Sequence, residues 1–74
     1  MNDVSVEAKR QILQNEISRY SNTSYMLSMR VKVADKVNDA KAKQAAIEQM
    51  TKCETALDIL NQELATLPAE TKPA

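Results

Sequence analysis

The sequence predicts an all-α protein: an antiparallel two-helix hairpin, about residues 5–36 and 40–67, that assembles into a helical bundle as a homo-oligomer. Three observations predict it. Leu13, Ile17, Tyr20, Ser24, Leu27, Val31 and Ala34 follow one another at alternating steps of four and three, and so do Ala46, Met50, Cys53, Leu57, Leu60, Leu64 and Leu67. That spacing places each set on one seam of a helix, at heptad positions a and d. The two seams are also mirror images about the Asn38-Asp39 junction. Val31 then faces Ala46, Leu27 faces Met50, Ser24 faces Cys53, Tyr20 faces Leu57, Ile17 faces Leu60 and Leu13 faces Leu64. Finally, the 74 residues contain no Gly, and the two prolines stand at 68 and 73, so nothing before Pro68 breaks a long helix.

Taken in order, Asp3 or Ser5 is placed to cap the first helix, and Glu7 complements its N-terminal dipole. Residues 1–4 are expected to fray. The helix should run to about Lys36, roughly 48 Å at 1.5 Å per residue. Its middle, Tyr20-Ser21-Asn22-Thr23-Ser24-Tyr25, sets four weak helix formers between two tyrosines. Ser, Thr and Asn compete for backbone hydrogen bonds in a helix interior. The heptad passes through without a shift, which predicts a continuous helix. Ser24 opposite Cys53 makes a layer of small side chains. Beyond it, Met26, Met29, Val33 and Val37 add a second apolar stripe, and Ile47 lies near the same end. A second stripe on an already paired helix needs another partner, and these five residues are assigned to an oligomer or partner interface.

Asn38 suits a left-handed C′ position, and Asp39 then caps the second helix. That helix opens on good helix formers from Ala40 to Ala46 and ends at Leu67, because a residue before proline leaves helical geometry. One domain is expected over residues 1–67, with a mobile tail over 68–74.

Composition narrows the function classes. There is no His and one cysteine, so neither a zinc set nor an intrachain disulfide is available, and no metal or cofactor is expected. No phosphate-binding Gly loop and no nucleophile beside a base is present, which argues against an enzyme. Cys53 lies on the core seam, where a thiol acts as a small hydrophobe. Glu54, Asp58 and Glu63 are dispersed along the helix surface. Below about 70–80 residues one core rarely supplies more than about 3–5 kcal/mol, and oligomerisation is the staple left to this chain. A dimeric four-helix bundle is the simplest case.

Net charge is zero but polarised. Residues 19–52 hold seven Lys or Arg against three Asp or Glu, or +4, and the remainder holds −4. The turn end is basic and the open end acidic, which can steer an anion, set subunit orientation, or simply solvate the surface. Five Lys or Arg between 30 and 43, offset by two Asp, make a thin basic face for nucleic acid, and that partner is disfavoured. The opening Met-Asn-Asp-Val-Ser has neither a basic start nor an apolar run, and no stretch reaches the length of a membrane span. A single thiol fits a reducing compartment, so a cytoplasmic location is expected.

Two binding roles remain. Tyr20 and Tyr25 can stack on a base while Ser21, Asn22, Thr23 and Arg30 or Lys32 bond phosphate or base edges, provided that two hairpins meet near the middle of helix 1. The competing reading has Tyr20 in the core, Tyr25 at its rim, and the Ser/Asn/Thr run bonded to its own backbone. Alternatively, the Met26-Met29-Val33-Val37 stripe captures a partner helix.

The run Met29-Arg30-Val31-Lys32-Val33-Ala34, the Asn38-Asp39-Ala40 turn, and Ile47, Lys52, Leu57, Leu60 and Glu63-Leu64 together resemble short helical-hairpin proteins of phage and prophage genomes, in which Gly-Asp often forms the turn. The resemblance covers about residues 12–66 and rests on hydrophobic pattern. Proteins of that size and shape include inhibitors of host enzymes and oligomeric sponges for nucleotide immune signals. It implies a small non-enzymatic counter-defence protein in the host cytoplasm, acting by stoichiometric capture or inhibition of a host protein. The alternative it implies is sequestration of a nucleotide-like anion at subunit interfaces.

Overall fold

In the computed structural model, which describes residues 4–68, the chain forms two helices, α1 (Val6–Lys36) and α2 (Ala40–Thr66), joined by a three-residue turn. Of the residues 1–4 expected to fray and the tail expected over 68–74, residues 1–3, with the alternative cap Asp3, and residues 69–74 lie outside the described residues. Ser5 is the N-cap of α1: the Ala8 N–H donates to its Oγ at 3.1 Å. At the far end of α2, Leu67 is extended, with φ −70° and ψ 145°, as its place before Pro68 requires.

The turn follows from two residues. Asn38 has φ 59°, the left-handed conformation that costs most side chains about 1–2 kcal/mol and that Asn tolerates through its short polar group. With Asn38 at C′, its N–H donates to the Asp35 carbonyl at 3.3 Å and the Asp39 N–H donates to the Ala34 carbonyl at 2.8 Å. These are the two bonds of a Schellman motif, which satisfies carbonyls that the helix end would otherwise leave open. Asp39 also starts the next helix, its Oδ1 accepting from the Ala42 N–H at 3.0 Å.

The polar run in α1 does not interrupt it. Thr23 Oγ1 donates to the Arg19 carbonyl at 3.0 Å and Ser28 Oγ to the Tyr25 carbonyl at 2.6 Å, so these hydroxyls bond the helix they sit on.

Every residue of the two expected seams is buried or half-buried. Leu27, Ala46 and Cys53 form the central cluster, with Tyr20, Val31 and Met50 packed against it. Both ends of the hairpin are tied near the expected register: Lys43 Nζ to Asp35 Oδ1 at 2.9 Å beside the turn, and Arg10 Nη2 to the Pro68 carbonyl at 2.6 Å at the open end. The core is thin. Its buried apolar residues are Leu27, Ala34, Ala46 and Cys53, two of them alanines, and among the described residues no large side chain is fully enclosed. The molecule measures 58 × 29 × 15 Å, one helix thick, so a residue off the seam has nothing above it.

If the Asn38-Asp39 pair sets the turn, Asn38→Val should lower stability by about 1–2 kcal/mol and Asp39→Ala by about 1 kcal/mol. Thermal unfolding at matched protein concentration checks both. Each kcal/mol corresponds to roughly 4–8 °C in a domain of this size.

Candidate functional site

With the seam at a and d, the remaining positions of each helix divide into two faces. Positions c and g of both helices flank the seam on one side, and positions b and e flank it on the other. The structure loads the apolar residues onto the first of these. Met26, Met29, Arg30, Val33 and Val37 of α1 line an open groove of about 600 Å³ with Ala42, Ala45, Ala46 and Gln49 of α2, next to the turn. Val33 is 62% exposed and Val37 64%, while Met29 is half-buried. At the open end a second groove of about 630 Å³ is lined by Val4, Val6, Lys9, Ile12, Leu13, Glu63, Thr66 and Leu67. Ile12, Met26 and Val33 occupy the same heptad position on α1, as Ala45 and Ile59 do on α2. Both grooves therefore open on one face of the slab. Near its middle the Arg19 and Glu16 side chains pair at 3.2 Å, with Arg19 also 5.6 Å from the centre of the Tyr20 ring.

The opposite face is polar. It presents Gln14, Ser18, Ser21, Ser28 and Lys32 on α1, and Thr51, Glu54, Asp58 and Asn61 on α2. Tyr25, 68% exposed, and Ile47 are the large apolar side chains there. Ile47 is thus near the turn, as its sequence position requires, but across the seam from the groove formed by the four other residues of the expected interface.

The tyrosine-flanked patch is split in the same way. Tyr20 is half-buried against the core cluster. Thr23 and Arg30 lie to the groove side of the seam. Ser21, Tyr25 and Lys32 lie on the polar face, spread over about three turns of α1, and Asn22 is on the outer edge of α1. One hairpin does not gather these seven side chains around a common point.

Ile12 and Ile59 also belong to the apolar face, although the sequence reading assigns neither of them to an interface. The available signal was the seven-residue spacing that carries Ile12 through Arg19 to Met26 and Val33, and Ala45 through Lys52 to Ile59.

As for chemistry, Cys53 is buried beside Leu27 and Ala46. Among the described residues no three His, Cys, Asp or Glu side chains are grouped to hold a metal ion, and no helix is long and apolar enough to cross a membrane. Comparison with known protein families, curated proteins and solved structures finds no match to this chain.

The buried thiol should resist a bulky aromatic disulfide reagent in the folded protein and react freely in denaturing urea. Fast labelling under native conditions, read by absorbance, would show that the Ser24–Cys53 layer opens.

Proposed function

We propose that this chain is a non-enzymatic interaction protein whose working surface is the c/g face, and that it acts by stoichiometric capture of a helical segment of another protein. The observation that carries the reading is the placement of Ile12, Met26, Val33, Val37 and Ile59, all exposed on one face, against Tyr25 and Ile47 alone on its otherwise polar reverse. Apolar side chains exposed on one face are stabilised by a partner that covers them, and fully covering a Val, Ile or Met side chain is worth about 1.5–3 kcal/mol. A groove between two helices accepts an amphipathic helix with apolar anchors at i, i+3 or i+4, and i+7. Met26 and Met29 add unbranched, adaptable side chains to its wall. The resemblance to phage hairpin proteins supports a host protein as the captured chain, bound in the host cytoplasm and thereby inhibited.

A second reading has its own observation. Tyr25 stands exposed among Ser21, Ser28 and Lys32, an aromatic ring with hydroxyls and a cation on either side, and such a stripe can stack a base and hold a phosphate. On this reading an oligomer gathers the split patch and sequesters a nucleotide-type anion.

Titration of isotope-labelled protein with a model amphipathic helical peptide distinguishes the two surfaces. The first reading expects resonance shifts at Met26, Val33, Val37 and Ala45, with affinity reduced at least about tenfold by Val33→Asp, the equivalent of about 1.4 kcal/mol. No shift on this face would contradict it. Under the second reading a cyclic dinucleotide binds, and Tyr25→Ala combined with Asn22→Ala abolishes that binding while assembly is kept; calorimetry that detects no binding to the unaltered protein removes it.

A further inference from the structure

We infer that the resting occupant of the c/g face is a second copy of this chain, laid antiparallel so that the turn-end groove of each hairpin covers the open-end groove of the other. The inference rests on the reading of that face as the working surface and names its first partner.

Area favours a copy over a lone helix. α1 spans 31 residues, about 46 Å, and two packed helices are about 20 Å wide, giving a face on the order of 900 Å². A stable interface buries about 800 Å² per partner. Apolar grooves lie near both ends of the face, with the Arg19–Glu16 pair between them, whereas a single short helix would cover only one groove.

Charge selects the orientation. A two-fold axis lying in the plane of the interface, across the helices at the level of Ser21, exchanges the ends of the two hairpins and stacks each helix on its own copy. Arg30 lies about 13 Å from that midpoint toward the turn, and Glu63, which sits level with the turn of helix next to Leu13, lies about 11 Å toward the open end. Lys52 lies about 6 Å toward the turn and Glu16 about 8 Å toward the open end. In the antiparallel dimer α1 lies on α1 and α2 on α2, so Arg30 comes near Glu63 and Glu16 of the other copy, and Lys52 near its Glu63; each hairpin already pairs Glu16 with Arg19 at 3.2 Å. A turn-to-turn dimer instead sets Arg30 beside Arg30. Rim charges of this kind add little affinity, but they discriminate between orientations. The same symmetry gives an isologous, closed interface, which leaves the polar faces outward.

The test is a spin-label distance in the full chain. Lys36 is exposed on the outer side of α1, and Cys53→Ala removes the native thiol. With Lys36→Cys labelled, the antiparallel dimer separates the two labels by about 45 Å along the bundle axis. A distance near 20 Å, the two-helix width, marks the turn-to-turn arrangement and overturns the inference. Sedimentation equilibrium accompanies it. R30E should weaken the dimer, and R30E combined with E63R should restore it to within about threefold of the unaltered chain; failure of that rescue also overturns the orientation. A chain that sediments as a monomer, yet still shifts at Val33 on addition of the amphipathic peptide, overturns the second copy and leaves the working face intact. If neither a dimer nor a peptide shift is found, both are lost.

Discussion

The structure depends on a single junction of two residues. Asn38 takes the one left-handed conformation among the described non-glycine residues, and Asp39 closes one helix with its N–H while opening the next with its carboxylate. Because these bonds leave no slack between Lys36 and Ala40, they decide which residue of α2 faces which residue of α1. A slip at that point would move the leucines of α2 off the seam and expose them. The contacts at Lys43–Asp35 and Arg10–Pro68 then hold the two ends near the register that the turn dictates.

A hairpin fixed in this way can hide only one seam. Three of the four buried apolar residues, Ala34, Ala46 and Cys53, are small, and small side chains bury little apolar area. Of the larger apolar groups outside the seam, Ile12, Met26, Val33, Val37 and Ile59 sit at positions c and g, and Tyr25 and Ile47 on the opposite face. On the proposed reading stability and function meet on the same surface: what the lone hairpin lacks in core, the covered face would supply. A face that serves both self-association and capture also makes the two exclusive, so a captured helix would have to displace the second copy.

The fold was legible because helical periodicity, a mirror-image register and turn chemistry agreed. Leu27, Ala46 and Cys53 were on the expected seams, and Asn38 and Asp39 took the conformations their chemistry suits. The first cap was narrowed only to Asp3 or Ser5, since either side chain can accept from the first turn; geometry selects Ser5. The candidate surface was legible in part. Met26, Met29, Val33 and Val37 stood out as a dense stripe, whereas Ile12 and Ile59 were single apolar residues among charges, and only the paired geometry of two helices shows that they continue it. Ile47 illustrates the converse, since nearness to the turn in sequence does not say which side of the seam a residue occupies. The Tyr20–Tyr25 patch is six consecutive residues, but consecutive residues on a helix point all around its axis. Tyr20 enters the core while Tyr25 faces away from it.

Small-angle X-ray scattering of the unaltered protein tests the central claim most directly, because it reports mass and length together. The account predicts a particle of twice the single-chain mass whose longest dimension stays near the 58 Å of one hairpin, since the second copy lies alongside the first. A particle of single-chain mass, or one of double mass extended toward twice that length, would contradict it.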